Sequence, residues 1–106
     1  MPKYLLEASY TAEGAKGLAK DGGSARRKAV TEMVKSMNGT VEAFYFAFGA
    51  TDVFVIADVP DSVTAAALSL AVNQSGVVQL RTHVLMTPEE MDQAAKKSVS
   101  YRAPGK

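Results

Sequence analysis

The order of strand-like and helix-like segments constrains the fold of this 106-residue chain more than any other feature of its sequence. Four segments have the two-residue alternation, or the density of β-branched and aromatic residues, that is typical of β-strands. Helix-like stretches separate the first strand from the second and the third from the fourth, which gives the order βαββαβ. This order predicts an α+β, ferredoxin-like fold: a four-stranded antiparallel sheet with two helices on one face. The predicted strands lie at residues 3–10, 40–48, 53–59 and 77–86.

Residues that favour helix termini mark the ends of the helix-like stretches. Thr87, with Glu90 three residues later, has the pattern of a capping box and predicts an extra helix after the fourth strand. We therefore expect one domain over residues 1–98 and a flexible C-terminal tail over residues 99–106. The other predicted N-caps are Thr11, Ser24 and Asp61, and the predicted helix stops are Asn38-Gly39 and Gly76.

The composition excludes several classes of function. Lys plus Arg number 12 and Asp plus Glu number 11, whereas a nucleic-acid-binding domain usually has a pI above about 9 and a basic face. The absence of cysteine excludes disulfides, thiolate nucleophiles and Fe–S clusters, and one histidine leaves too few ligands for most transition-metal sites. No apolar stretch approaches the roughly 20 residues that cross a bilayer, and Glu7 interrupts the apolar run that a signal peptide requires. We predict a cytoplasmic protein with no metal, no nucleic-acid partner and no membrane partner.

The second face of the predicted sheet has no helix to cover it. Strands three and four offer Phe54, Ile56 and Leu85 to that face, or the residues that alternate with them. A monomer rarely exposes a contiguous apolar patch of more than a few hundred Å², and the hydrophobic content of 47% exceeds what one helix-covered face requires. These features predict a second copy packed sheet to sheet as a dimeric α/β barrel. The expected partner is therefore the chain itself, in a homodimer or a larger homo-oligomer.

Several short segments match a known pattern, and the similarity spans most of residues 1–87. The segments are Met1-Pro2-Lys3-Tyr4, Tyr10-Thr11, Phe44-Tyr45, Gly49-Ala50-Thr51-Asp52 and Val55-Ile56-Ala57-Asp58-Val59-Pro60-Asp61. Together they resemble the GYD-domain family, a group of small bacterial proteins of largely unassigned function. That family is named for a Gly-x-Tyr-Asp motif, and this chain has Thr51 at the tyrosine position. The resemblance implies the fold and the dimeric barrel; it implies no reaction.

The strongest candidates for chemistry lie on the predicted fourth strand. His83 is the only imidazole in the chain, and imidazole is the side chain that titrates near neutral pH without help. It shares a strand face with Arg81 and Gln79, and successive residues on one face of a strand lie about 6.6 to 7 Å apart. There a histidine can act as a general base and an arginine can bind a carboxylate or enolate. The alternative is that these side chains form interfacial hydrogen bonds and ion pairs with Glu7 or Glu42 of either copy.

Two further candidates lie near the turn between strands two and three. Asp52 either caps its own turn by accepting from backbone N–H groups or presents a carboxylate at a cavity mouth. Tyr45 is either a core or interface aromatic or a catalytic hydroxyl. The phase of strand two decides whether Tyr45 can join the site, and the alternation leaves that phase open. Either of two sets can face the helices: Phe44, Phe46 and Phe48, or Ala43, Tyr45 and Ala47.

Two functions from different classes fit these residues. The first is a structural, regulatory or small-molecule-binding homo-oligomer, with Arg81, His83, Glu7 and Asp52 as ligand-binding residues. The second is a cofactor-independent monooxygenase or isomerase of an aromatic or enolisable compound, with His83 as the base and Arg81 or a tyrosine as the oxyanion partner; the candidate catalytic residues are His83, Arg81 and Tyr45. Haem binding through His83 is a third alternative. Neither of the first two functions needs a cofactor, so none is predicted, and the fold alone does not decide between them.

Overall fold

The computed structural model describes residues 1–106 and contains a single four-stranded antiparallel sheet with the strand order β2-β3-β1-β4. Helices follow β1 and β3, as the βαββαβ order requires, and a further helix follows β4. The predicted α+β, ferredoxin-like fold with an extra C-terminal helix is thus confirmed. The elements are β1 (Lys3–Tyr10), α1 (Ala12–Asp21), α2 (Gly23–Ser36), β2 (Thr40–Phe46), β3 (Val53–Asp58), α3 (Ser62–Gln74), β4 (Val78–Leu85) and α4 (Pro88–Ala95).

The central strand β1 separates the two faces of the sheet by its two-residue alternation. Tyr4, Leu6 and Ala8 are buried beneath the helices, whereas Leu5 and Glu7 point to the other face and are only half-buried. All buried side chains of the chain are apolar, and they form one cluster between the sheet and the helices. Its members are Tyr4, Leu6, Ala8, Val30, Val34, Val53, Val55, Ala57, Val59, Ala65, Leu68 and Val78.

Strand β2 turns its phenylalanines towards the helices and its tyrosine away from them. Phe44 and Phe46 pair with β3 residues that are buried under the helices, and directly paired residues point to the same face. Tyr45 pairs with the exposed Phe54 and lies on the opposite face. Of the two phases that the sequence allows for β2, the structure therefore has the one in which Phe44 and Phe46 face the helices. Phe48 lies beyond the end of the strand, although the sequence predicts a strand as far as residue 48.

Most helix ends follow the predicted capping chemistry. The side chain of Thr11 accepts a hydrogen bond from the backbone N–H of Gly14 at 3.2 Å, and Thr87 and Glu90 form both bonds of a capping box. Asn38, at φ 63°, and Gly76, at φ 75°, adopt the left-handed conformation just after α2 and α3. These termini confirm that local side-chain chemistry sets the helix boundaries.

The start of α2 is the exception, and the prediction of Ser24 as its N-cap is wrong. The helix already begins at Gly23, and its N-cap is Gly22, which makes no side-chain hydrogen bond. Gly22 has a φ of 85°, a conformation that glycine adopts without strain. One residue is therefore enough to turn the chain from α1 into α2, and no loop separates the two helices. None of the helices combines the length and the apolar run needed to span a bilayer.

The cap of α3 makes stability depend on pH in the acid range. The Asp61 carboxylate accepts a hydrogen bond from the backbone N–H of Thr64 at 2.8 Å, and this bond, with a smaller contribution from the Thr64 side chain, lowers the pKa of Asp61. A carboxyl group with a lowered pKa in the folded state stabilises the fold above its ordinary pKa and loses that contribution as the pH falls through the lowered value.

We expect Asp61→Ala to lower the Tm at neutral pH, and Asp61→Asn to preserve it, because asparagine caps helices as well as aspartate does. Below about pH 4, wild type should lose part of its advantage over Asp61→Ala, whereas the difference between Asp61→Asn and Asp61→Ala should stay constant. Thermal unfolding followed by circular dichroism at several pH values measures this. Equal Tm values for wild type and Asp61→Ala at neutral pH would contradict the capping role.

Candidate functional site

The sheet face that no helix covers is called the open face. Its residues follow from the pairing of each strand with β1 or β3, since directly paired side chains share a face. Apolar side chains occupy its middle and charged side chains lie around them. The open face consists of Lys3, Leu5, Glu7, Ser9, Thr40, Ala43, Tyr45, Phe54, Ile56, Asp58, Gln79, Arg81, His83 and Leu85.

A hydrogen bond between neighbouring strands holds the imidazole on this face. Nε2 of His83 lies 2.7 Å from Oε2 of Glu7, with 51% of the His83 side chain exposed against 24% of Glu7. The carboxylate fixes the orientation of the ring, so Nδ1 is the nitrogen that remains for another molecule. The structure thus brings together two of the predicted ligand-binding residues, in the arrangement that the ion-pair alternative describes.

Arg81 stands beside this pair on the edge strand β4. It is exposed and lies directly opposite Glu7 across the β1–β4 ladder. The Glu7 carboxylate pairs with His83 and not with Arg81, and Arg81 forms no ion pair of its own. The guanidinium is therefore free to bind an anionic group from another molecule.

The structure does not bring Tyr45 and His83 of one chain together. Tyr45, Phe54, Glu7 and Arg81 form a row across the open face, with Tyr45 at the β2 edge and Arg81 at the β4 edge. Three strand spacings of about 4.8 Å place the two edges about 14 Å apart. The hydroxyl of Tyr45 can approach a His83 only if that histidine belongs to a second copy.

Asp52 likewise stays apart from the other predicted ligand-binding residues. Its Oδ2 accepts a hydrogen bond from the backbone N–H of Tyr10 at 2.9 Å, and its own N–H donates to the carbonyl of Ala8 at 2.9 Å. Asp52 therefore ties the β2–β3 turn to the end of β1 and does not cap its own turn, which was the first of its two predicted roles. It borders a cavity, but not one on the open face.

That cavity, called the hairpin groove, lies between the β2–β3 turn and the junction of α1 with α2. It has a volume of about 560 Å³. Phe48 on its rim is fully exposed, and Phe46 keeps 42% of its surface exposed. Sequence reasoning missed this groove; the available signal was Phe48, a large apolar residue immediately before the turn glycine Gly49. The lining residues are Tyr10, Thr11, Ala12, Ala15, Leu18, Gly23, Phe46, Ala47, Phe48 and Asp52.

A second charged group occupies the end of the open face away from the β2–β3 turn. Nζ of Lys3 lies 2.8 Å from Oε2 of Glu42 and 3.0 Å from Oδ1 of Asp58. Hydrogen bonds to Glu42 and then to Asp58 raise the pKa of Lys3, so its ammonium stays charged at neutral pH. Histidine and carboxylate side chains do not gather in groups of three or more anywhere in the chain.

Comparison with known proteins gives one match. A family model described as GYD domain matches residues 4–95, a range that contains the whole hairpin groove and every residue of the open face except Lys3. No curated protein and no solved structure matches the chain.

Proposed function

The chain belongs to the GYD-domain family, and from that premise we propose that it works as a homo-oligomer that packs its open face against a second copy and binds a small molecule. The bare open face is the observation that carries this proposal. Leu5, Ile56 and Leu85 are only half-buried there, and Phe54 and Tyr45 are exposed. Covering such side chains contributes about 25 cal/mol per Å² of apolar surface removed from water.

The charges of the open face suit a contact between identical surfaces. A two-fold axis brings the same patch of each copy together, so each patch must complement itself. The open face meets this condition because it carries cations, Lys3 and Arg81, as well as anions, Glu7 and Asp58. A partner with one sign of charge would meet repulsion from half of these groups.

The C-terminal segment, residues 86–106, supports the same proposal. Its helix α4 has no buried residue, and Met86, Met91, Val99 and Tyr101 are all exposed. The radius of gyration is 16.8 Å, against about 13 Å for a compact chain of this length. An isolated helix of this length is marginally stable in water. A second copy would give this segment the packing that its own domain does not.

The size of the open face also favours a contribution from this segment. Four strands about 4.8 Å apart, each with about seven residues at 3.4 Å, give a plan area of roughly 450 Å². A stable interface buries about 800 Å² on each partner. The open face therefore supplies the centre of a dimer contact, and the C-terminal segment can supply the remainder.

Analytical ultracentrifugation at micromolar concentration tests the oligomer. The expected mass is at least twice the 11.2 kDa of one chain. Ile56→Lys, which adds a charge to the middle of the open face, should raise the dissociation constant by at least about thirty-fold. Val63→Lys is the matched control, because Val63 is an exposed β-branched residue on the helix side. A wild-type mass of one chain would refute the proposal.

The Glu7–His83 pair favours a second candidate function, that of a cofactor-independent enzyme. A carboxylate that orients an imidazole prepares the free ring nitrogen to accept a proton, and Arg81 beside it can hold an anionic, enolisable substrate. In this function His83 is the general base and Glu7 is a positioning residue.

We expect Glu7 to bias His83 towards the tautomer with the proton on Nε2, and Glu7→Gln to weaken that bias. Imidazole ¹⁵N chemical shifts, recorded at the alkaline end of a pH series, measure the tautomer directly. Glu42→Gln is the control, since Glu42 pairs with Lys3 and not with His83. Identical ¹⁵N shifts in wild type and Glu7→Gln would contradict the positioning role. A thermal-shift screen of aromatic acids, quinones and haem that finds no ligand would count against the enzyme.

A further inference from the structure

We propose that the hairpin groove binds a small aromatic molecule that carries an amine or another hydrogen-bond donor. This inference names the ligand class for the small-molecule part of the proposed function and places its site away from the open face. It rests on that part of the proposed function alone and does not depend on the homo-oligomer.

The dimensions of the groove suit a small molecule. Its volume of about 560 Å³ falls within the roughly 300 to 1,000 Å³ of typical ligand sites. One wall is the first half of α1, where Ala12 and Ala15 have side chains too short to fill the space. The opposite wall is formed by Phe46 at the end of β2 and by Phe48 just beyond it. The groove is therefore open because small residues face large ones across it.

Within the aromatic wall, the ring of Phe46 is held in position by its neighbours. The ring of Phe44 meets the ring of Phe46 edge-on, with centroids 5.3 Å apart and an angle of 72° between planes. The ring of Phe46 also lies against Gly23, the first residue of α2. A Cβ added to Gly23 would lie only 2.9 Å from Cε2 of Phe46. A ring that is fixed in this way loses little rotamer freedom on binding. An aromatic ligand can therefore stack on it with a small cost in side-chain entropy.

The charge of the lining selects the polar group of the ligand. Asp52 is the only charged residue that lines the groove, and no lysine, arginine or histidine does. Its Oδ2 accepts from the backbone N–H of Tyr10, while Oδ1 makes no hydrogen bond within the chain. A cationic or neutral donor can bond Oδ1, whereas a carboxylate or phosphate would meet like charge with no cation to offset it. The groove thus favours a ligand with a cation or hydrogen-bond donor, whereas Arg81 on the open face favours an anion.

Three probes with the same ring and different charge test this assignment on the full chain. They are 2-phenylethylamine, 2-phenylethanol and 3-phenylpropanoate, titrated at neutral pH while amide NMR signals are followed. We expect the amine to shift the signals of Leu18, Phe46 and Phe48, and to bind at least about tenfold more tightly than the carboxylate. The alcohol should bind with intermediate affinity.

Two variants separate charge from shape. Asp52→Asn keeps an acceptor for the N–H of Tyr10 but removes the charge, so the preference for the amine over the carboxylate should fall to within about twofold. Asp92→Asn, on the exposed helix α4, is the matched control and should leave the preference unchanged. Phe48→Ala, at a fully exposed position that carries no core packing, should weaken binding of all three probes by at least about fivefold.

The inference is overturned if the carboxylate binds as tightly as the amine, if the shifts are confined to the open face, or if no probe shifts groove signals. It is also overturned if groove signals move only when the protein is diluted from oligomer to monomer, because a second copy then occupies the groove. Ultracentrifugation of the same samples keeps the two proposals apart. A monomer that binds the amine refutes the homo-oligomer alone, and an oligomer that binds no probe refutes this inference alone.

Discussion

Leu68→Ala is expected to lower the free energy of unfolding by about 2 to 5 kcal/mol. Leu68 lies on the face of α3 that packs on the sheet, and only 4% of it is exposed. Truncation removes apolar surface from the core and leaves a cavity that the surrounding strands can fill only in part. A domain of this size has a total stability of about 5 to 15 kcal/mol, so the loss is a large part of it.

Leu70 provides the control in the same helix. It lies two residues further along α3 with 66% of its surface exposed, and Leu70→Ala should change stability by no more than about 0.5 kcal/mol. Urea unfolding at one fixed protein concentration measures both variants, because the stability of an oligomer depends on concentration. Similar midpoints for Leu68→Ala and Leu70→Ala would mean that α3 does not pack on the sheet through Leu68.

The second large effect is that alanine substitutions at two glycines of α1 should change the stability of the fold in opposite directions. Alanine favours a helix over glycine by about 1 kcal/mol, and this gain applies at both positions. At Gly17 an added Cβ meets nothing within 4 Å, whereas at Gly14 it would clash with the carbonyl oxygen of Val77. We expect Gly17→Ala to stabilise the fold by up to about 1 kcal/mol, and Gly14→Ala to destabilise it by about 1 to 3 kcal/mol.

The clash at Gly14 also disturbs a hydrogen bond. The carbonyl of Val77 accepts from the N–H of Thr11 at 3.1 Å, so backbone displaced by the new Cβ strains the link between the start of α1 and the start of β4. Hydrogen exchange at Thr11 and chemical denaturation of both variants measure the effect. Equal stabilisation by the two substitutions would show that α1 does not approach β4 as closely as the structure has it.

The fold was predictable from the sequence where the signal was local. Alternation in β1 and β4 gave the correct faces, and the caps at Thr11, Asp61 and Thr87 follow from side-chain hydrogen bonds within one turn. The start of α2 was not predictable in this way. Serine is the better N-cap by preference, but the unusual φ of Gly22 turns the chain before Ser24 can cap.

The phase of β2 depends on packing beyond the strand. Aromatic residues occur at both parities, and the register shifts between Val41 and Ala43, so the alternation before the shift does not predict the alternation after it. The buried β3 residues opposite Phe44 and Phe46 decide the phase, and they are brought there by tertiary structure.

In the candidate site, too, the features that depend on local sequence were predictable, and those that depend on tertiary packing were not. Glu7 and His83 were predictable neighbours, because matching parity on adjacent strands brings them to one face. Tyr45 shares that face, yet the strand order separates it from His83 by the width of the sheet. The hairpin groove left almost no trace in the sequence, since its walls come from distant segments and an empty space is a product of how they pack.

The central position of β1 has a consequence for how the chain acquires its structure. The first strand pairs on one side with β3 and on the other with β4, where Lys3 lies opposite Leu85. During synthesis the complete sheet cannot form until β4 has emerged, and one edge of β1 stays unpaired until then. Such non-local pairing slows folding relative to a helical bundle of the same size. An unpaired edge flanked by Tyr4 and Leu6 is also a template for association with other nascent chains. Docking of β4 therefore removes this exposed edge and completes the sheet.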